Sequence, residues 1–256
     1  RAQLAAGDAR QAVGTFGQLA TKNPAEAIHQ LRLAEAHVQS KDLGAARAAL
    51  RKALEIEPES LAAKRGLAAL ALQQERPDEA RVIAREIQKL RPKEASGYQL
   101  EGDVERQQRN WPAAVAAYRK AFAIARGTDL AIRLHQSLFA GGQRADADRL
   151  VADWQKENPK DFGFSYYLGD LAMSRADFAS GEKHYRAVLD VQPRNALALN
   201  NVAWLMAKQG KPGAVPLAEQ ANQILPNRPQ LMDTLATALA ADGEVQRAID
   251  VQPRAL

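Results

Sequence analysis

Apolar and small residues recur at helical spacing along the chain, in blocks that come in pairs such as 61–74 with 77–90 and 162–175 with 178–191. Each pair predicts two helices joined by a short turn. The pairs keep time. Pro24, Pro58, Pro92, Pro159, Pro193 and Pro226 follow one another at 34, 34, 67, 34 and 33 residues, the 67 being two periods with the middle proline absent. With that proline at position 32 of a unit, position 20 reads Ala12, Ala46, Ala80, Ala114, Ala147, Gly181, Ala214 and Ala248, allowing one deletion before Ala214. Position 8 reads Ala34, Ala68, Gly102, His135, Gly169, Ala203 and Ala236, and position 7 reads Leu33, Leu67, Glu101, Leu134, Leu168, Val202 and Leu235. Small residues at 8 and 20 let the first and second helix of a unit, A and B, approach closely. Large apolar residues at 7, 24 and 27, among them Phe16, Leu50, Tyr118, Trp154 and Tyr185, are expected to fill the space between units.

Local signals agree with this register. Pro77, Pro112 and Pro212 stand where helix B begins, a place that needs no amide hydrogen. Gly141, Gly142, Gly210 and Gly243 stand in the A–B turns, where a positive φ costs a glycine little. The position-32 proline ends helix B and forces an extended residue before it. At the missed beat, Gly127, Thr128 and Asp129 are read as a C-terminal glycine and an N-cap. Gly181 is expected to be so tightly packed that leucine there costs several kcal/mol. Pro253 sits inside the last helical block, so that helix is expected to stop near Val251, since an interior proline costs roughly 3 kcal/mol.

This pattern resembles the tetratricopeptide family, whose motif runs Trp-Leu-Gly-Tyr-Ala-Phe-Ala-Pro along a unit of 34 residues. The resemblance runs the length of the chain. It implies an all-α, right-handed superhelical solenoid of antiparallel helix pairs forming one domain over residues 1–256. The complete repeats are 27–60, 61–94, 95–127, 128–161, 162–195 and 196–228, with partial repeats at 1–26, where Gly7-Asp8 is the turn, and 229–256. Neither end carries the polar capping repeat that a solenoid needs. The expectation is a piece of a longer protein, with an apolar face exposed at each end and end-to-end self-association.

Composition narrows the chemistry. Apolar residues make up 46% of the chain but aromatics only 5%, which suits thin alanine-rich helical layers. There is no cysteine, so disulfides and thiolate chemistry are excluded. Thirty-five basic and 30 acidic residues leave a net charge of only +5, spread along outer helix faces, which reads as a solvated exterior and not a nucleic-acid surface. No apolar run approaches the ~20 residues of a membrane span, so membrane attachment is expected only through an anchor outside these residues. His29, His37, His135 and His184 lie on separate helices at no metal-binding spacing. No nucleophile has an identifiable base, and no phosphate-binding glycine loop occurs. The expectation is no enzyme, no cofactor and no metal.

In the family the A helices line a concave face, with positions 2, 5, 9, 12 and 13 pointing into it. Here that stripe carries Tyr166, Asp170, Met173, Asn200, Trp204 and Asp233 as the principal candidates. Arg65, Gln99, Asp103, Arg106, Gln136 and Phe139 form a secondary set. Aromatic anchors beside hydrogen-bonding groups are what a recognition surface requires, and Asn200 both donates and accepts, which suits the backbone of an extended peptide. The acids call for a ligand that is neutral or basic locally. Chaperone adaptors of this family grip a C-terminal carboxylate with Lys, Arg and Asn in three consecutive repeats. Leu31, Glu35, Ala69, Gln99, Asp103, Ile132 and Gln136 at the matching positions argue against that mode.

Ala198-Leu199-Asn200-Asn201-Val202-Ala203-Trp204-Leu205-Met206, followed by Leu231-Met232-Asp233-Thr234-Leu235-Ala236, resembles a pair found in tetratricopeptide proteins of the bacterial cell envelope. With the Lys211-Pro212-Gly213-Ala214 turn, the chain is most similar to the tetratricopeptide-repeat lipoproteins of the exosortase (PEP-CTERM) system. That resemblance implies a scaffold in the periplasm or at the periplasmic face of the outer membrane, the alternative being the cytoplasm, that binds protein or peptide segments in a system of exopolysaccharide production and protein sorting. Two other readings stand beside it. One is a carbohydrate-binding element using Tyr166 and Trp204 as stacking platforms. The other is the accessory arm of an enzyme lying outside these residues.

Overall fold

The computed structural model describes residues 9–251, and every regular element among them is an α-helix. In chain order they are α1 (Ala9–Lys22), α2 (Ala27–Gln39), α3 (Leu43–Ile56), α4 (Leu61–Gln73), α5 (Pro77–Leu90), α6 (Ser96–Gln107), α7 (Trp111–Ile124) and α8 (Thr128–Ala140). They continue as α9 (Arg144–Glu157), α10 (Phe162–Ser174), α11 (Phe178–Val191), α12 (Ala196–Lys208), α13 (Ala214–Ile224), α14 (Pro229–Ala241) and α15 (Val245–Val251). The chain divides into two compact units, Arg1–Ala147 and Asp148–Leu256, with the boundary inside α9. Within each unit, helices adjacent in sequence pack against each other, and in the second unit α12 also packs on α14. The Gly7-Asp8 turn and Pro253 lie outside the described residues.

The periodic residues do what their sizes permit. Ala12, Ala46, Ala80, Ala114 and Ala147 have no exposed surface, and Ala34, Ala68, His135, Ala203 and Ala236 are buried at position 8. The tyrosines at position 24 differ from expectation: they close their own hairpin instead of filling the space between repeats. A methyl group added at Gly102 would lie 2.6 Å from the Tyr118 ring, and one at Gly169 would lie 2.6 Å from the Tyr185 ring. Each glycine is the notch that lets a buried ring cross from helix B to helix A. At Gly181, by contrast, an added methyl would make ordinary contacts of 3.4 Å to Leu205 and 3.6 Å to Met173. Among the described glycines the shortest such approaches are at 102 and 169, with Gly97 next at 2.7 Å from the Gln88 backbone.

The seven A–B turns among the described residues use one device. Lys41, Glu75, Arg109, Gly142, Ala176, Gly210 and Gly243 have positive φ, and the next residue donates its N–H back five residues, as Asp42 does to His37 and Asp177 to Ala172. This is the left-handed helix stop. Each of the six periodic prolines lies two residues beyond a helix end, and Glu57, Arg91, Gln192 and Leu225 before four of them leave the helical region without becoming fully extended, with φ between −126° and −132° and ψ between 64° and 85°. The next helix is then started by side-chain caps at Asp161 and Asn195, which accept from Phe164 and Ala198 N–H.

Two local readings are corrected. Thr128 is the first helical residue of α8, and Gly127 before it is an extended N-cap without a side-chain bond, because α7 has already ended at Ile124. Pro212 lies outside α13, which starts at Ala214 after the left-handed Gly213 (φ 89°). The one-residue deletion delays that helix, and Pro216 instead falls in its first turn, where proline is tolerated.

Five ion pairs cross from one hairpin to the next: Arg47 with Glu79 (2.5 Å), Arg81 with the buried Glu105 (2.6 Å), Arg119 with Asp146 (2.6 Å), Lys211 with the buried Glu182 (2.6 Å) and Arg247 with Glu219 (2.6 Å). The basic residues thus serve contacts between repeats as well as solvation.

Candidate functional site

Two surfaces, one in each unit, bring candidate residues together. The first lies between α2 and α4. Ile28, Leu31 and Val38 of α2 face Ala62, Gly66, Ala69 and Gln73 of α4 across a cavity of about 320 Å³. Leu50 of α3 forms its floor, and Gly66 opens it, since a methyl there would lie 2.8 Å from Leu50. Ile28 is 46% exposed and Val38 39%, large apolar side chains left to water at the rim. The Arg32–Glu35 ion pair (2.7 Å) stands beside them. Sequence reasoning passed over this groove because it weighted aromatics. The signal was available: Ile28, Leu31 and Val38 stand at positions 2, 5 and 12 of one A helix, opposite alanines at 2 and 9 of the next.

The second surface lies along α10 and α12. Asp170 is exposed and accepts a 2.6 Å hydrogen bond from the Tyr185 hydroxyl. The Tyr166 ring meets Tyr185 edge-on at 5.3 Å, and the Asn201 amide donates to the Tyr166 hydroxyl at 3.3 Å. Burial and the bonded Asp170 carboxylate push the Tyr185 hydroxyl far above its ordinary range, so it remains a proton donor. Burial and the Asp170 charge raise Tyr166 as well. Asn200 is partly buried; its amide donates to Asn201 at 3.4 Å, and its Oδ1 is buried with no hydrogen-bond donor. Trp204 stacks edge-on against Phe178 at 5.8 Å and carries Lys208 5.5 Å above its ring. Met173 packs beside Gly181, and Asp233 is exposed on α14. Of the six principal residues, Tyr166 and Asp170 meet, but through Tyr185 and Asn201, which sequence reasoning did not single out. Tyr185 reads as core, and Asn201 falls at position 6, off the assumed stripe.

The secondary set scatters. Arg65 and Gln136 are exposed. Gln99 donates to Asp129 at 3.2 Å, and Phe139 stacks on His135 at 6.3 Å with the Arg144 guanidinium over its ring at 5.2 Å. Asp103 belongs to a closed network. Its Oδ1 accepts from the Tyr118 hydroxyl and from Arg133, both at 2.6 Å, and Arg133 also donates to Asp129 at 2.8 Å. Burial works against the Arg133 charge, but the bond to Asp129 and the two carboxylates outweigh it and hold the guanidinium protonated. Arg106 bears on the same Tyr118 hydroxyl. No group of three or more His, Asp or Glu side chains able to hold a metal occurs among the described residues.

Models of the tetratricopeptide repeat match residues 37–103 in one version and residues 1–60 and 166–231 in another. A TPR repeat-containing protein of Pseudomonas aeruginosa is 30% identical over 128 residues, which is 47% of this chain and 21% of that protein. The chain thus spans about a fifth of that relative's length. Yeast Tom70 superposes with a TM-score of 0.67 at 17% identity, covering 96% of this chain and 54% of Tom70. The Pseudomonas aeruginosa protein PilF superposes with a TM-score of 0.53 at 18% identity, covering 84% of this chain and 99% of PilF. These likenesses show a shared fold.

Proposed function

The chain belongs to the tetratricopeptide repeat family, and from that premise we propose that it is a non-catalytic scaffold whose A-helix faces bind segments of partner proteins. The observation that carries this reading is the groove between α2 and α4, where exposed Ile28 and Val38 and half-buried Leu31 line a cavity of about 320 Å³, room for apolar side chains of a bound segment. Repeats hold such a groove ready-made, so little of the binding energy is spent on ordering it. The test is a panel of fluorescent peptides presenting apolar residues, read by anisotropy. Ile28→Glu changes an exposed side chain and is expected to leave stability within about 0.5 kcal/mol. It should weaken binding by about tenfold, or ~1.4 kcal/mol, by placing a carboxylate in the apolar groove. Equal binding by parent and variant refutes the groove.

We propose further that this scaffold works in the bacterial cell envelope, in the periplasm or at the periplasmic face of the outer membrane, in the exosortase system of protein sorting and exopolysaccharide production. What supports this is the resemblance carried by residues 198–206 and 231–236. Fractionation of cells making the full protein tests it, and recovery in the cytoplasm overturns it. Peptide stands ahead of polysaccharide as ligand, because the Trp204 ring already carries Phe178 and Lys208 and Tyr166 already carries Tyr185. Val245 and Ile249, 59% and 56% exposed on α15, support pairing of this chain with itself, which sedimentation at rising concentration checks.

A further inference from the structure

The two hairpins that share the Gly–Asp–Tyr arrangement form the same local structure and differ in what completes it. In α6–α7, Gly102 admits Tyr118, whose hydroxyl donates to Asp103 at 2.6 Å; in α10–α11, Gly169 admits Tyr185, whose hydroxyl donates to Asp170 at 2.6 Å. The first carboxylate is then neutralised from within the chain. Arg133, at position 6 of the following A helix, donates to Asp103 at 2.6 Å and is braced by Asp129 at position 2, while Arg106 at position 12 bears on the tyrosine hydroxyl. At the corresponding places around Asp170 the chain has Asn201 for Arg133, Leu197 for Asp129 and Met173 for Arg106. Both cations are gone, and the aspartate that remains is exposed with the Tyr185 hydroxyl as its one hydrogen-bond partner among the described residues.

We propose that Asp170 is the receptor for an arginine side chain of the bound protein segment, whose guanidinium takes the place that Arg133 holds in the earlier repeat. The proposal rests on the peptide-binding reading and names the residue class that this second surface selects. A guanidinium offers several donors in one plane, and Asp170 keeps acceptor capacity beyond the one bond from Tyr185. Met173 and Tyr166 supply apolar walls for the stem of the side chain. The Oδ1 of Asn200, buried and without a donor, is an acceptor on the same helix as Asn201.

The experiment uses the whole chain and three blocked tripeptides, Ala-Arg-Ala, Ala-citrulline-Ala and Ala-Lys-Ala, titrated while the side-chain amides of Asn200 and Asn201 and the rings of Tyr166 and Tyr185 are followed by NMR. Citrulline has the shape of arginine without its charge. Saturable shifts at these four residues are expected with the arginine peptide, and binding about tenfold weaker with citrulline and in Asp170→Asn, the factor for losing one charge-assisted hydrogen bond at an exposed site. The double variant Asn201→Arg/Leu197→Asp copies the earlier repeat, so its own guanidinium should occupy the site and abolish the shifts at the three remaining reporters, Asn200, Tyr166 and Tyr185. No shift with the arginine peptide, equal affinity for citrulline or lysine, or binding retained by Asp170→Asn overturns the assignment. The Ile28→Glu test of the α2–α4 groove is read at the other unit, so failure here with success there removes the arginine site and leaves the scaffold reading standing.

Discussion

At the scale of single residues, the two glycine–tyrosine notches and one buried glutamate carry the sharpest consequences. Tyr185 is 1% exposed and its ring would meet an added methyl at Gly169 at 2.6 Å, so Gly169→Ala must displace a ring that has nowhere to go. We expect a loss of about 1–3 kcal/mol. Gly181→Ala meets only ordinary contacts and relieves a helical glycine, so it should be neutral or stabilising by up to about 1 kcal/mol. Urea melts of the two variants decide this, and equal destabilisation contradicts the notch. Glu182 is buried and accepts from Lys211 at 2.6 Å and Arg186 at 2.8 Å. Burial pushes its carboxyl up, but these bonds and charges prevail and hold it below the ordinary glutamate value of 4.5. A group with a depressed folded value gives stability that is present above its unfolded value and lost as pH falls through the folded one. Glu182→Gln should therefore be less stable than the parent at pH 7, and the gap should close in melts taken below about pH 4.5. A constant gap across that range refutes the role. The small residues at 8 and 20 were legible in the sequence because close helix approach admits little else. Tyr185 and Asn201 were not, because which ring crosses a hairpin and which position-6 side chain reaches its neighbour depend on the rotation of one helix against another, and periodicity does not record that.

At the scale of elements, the turns between helices A and B show how a repeat tolerates local misfit. The left-handed position is glycine at 142, 210 and 243, but Lys41, Glu75, Arg109 and Ala176 adopt it with φ of 56–64°. A side chain in that region costs roughly 1 kcal/mol, which the helix stop and the packed hairpin override. Ala176 has no side-chain hydrogen bond to offset it. Ala176→Gly should thus stabilise the protein by up to about 1 kcal/mol, and Gly210→Ala should destabilise it by a similar amount. Thermal melts of the pair check this, and a fall in Tm for Ala176→Gly would show that glycine's extra freedom in the unfolded chain outweighs the relief. The glycines announced three of these turns. Pro77 and Pro112 at the start of the next helix marked those at Glu75 and Arg109, and the turns at Lys41 and Ala176 were located by register alone, since a lysine and an alanine carry no turn signal of their own. The same limit explains Thr128, which has the chemistry of a cap yet sits inside α8 because the preceding helix ends early.

At the scale of the whole molecule, the contacts that matter are short in sequence. Within each unit a helix packs on its neighbours in the chain, and the ion pairs that cross hairpins, such as Arg47–Glu79 and Lys211–Glu182, reach only to the next repeat. Stability in such a chain is close to a sum of repeat and nearest-neighbour contributions, so a local defect lowers local protection before it lowers the whole. Gly169→Ala provides the test. Its damage falls on the α10–α11 hairpin and, through Tyr185 and Asn201, on α12. Amide hydrogen exchange should show α10, α11 and α12 exchanging faster in the variant, by the factor of about five to 150 that 1–3 kcal/mol implies, while α2 to α5 keep the parent rates. A uniform rise across all helices would mean that the chain opens as one cooperative body. Local opening has a functional consequence. The α2–α4 groove and the Asp170 surface lie in separate units, so a segment that binds one should protect its own helices in the same exchange experiment and leave the other's rates alone. A scaffold built this way engages separate segments of a partner without requiring the whole solenoid to change state.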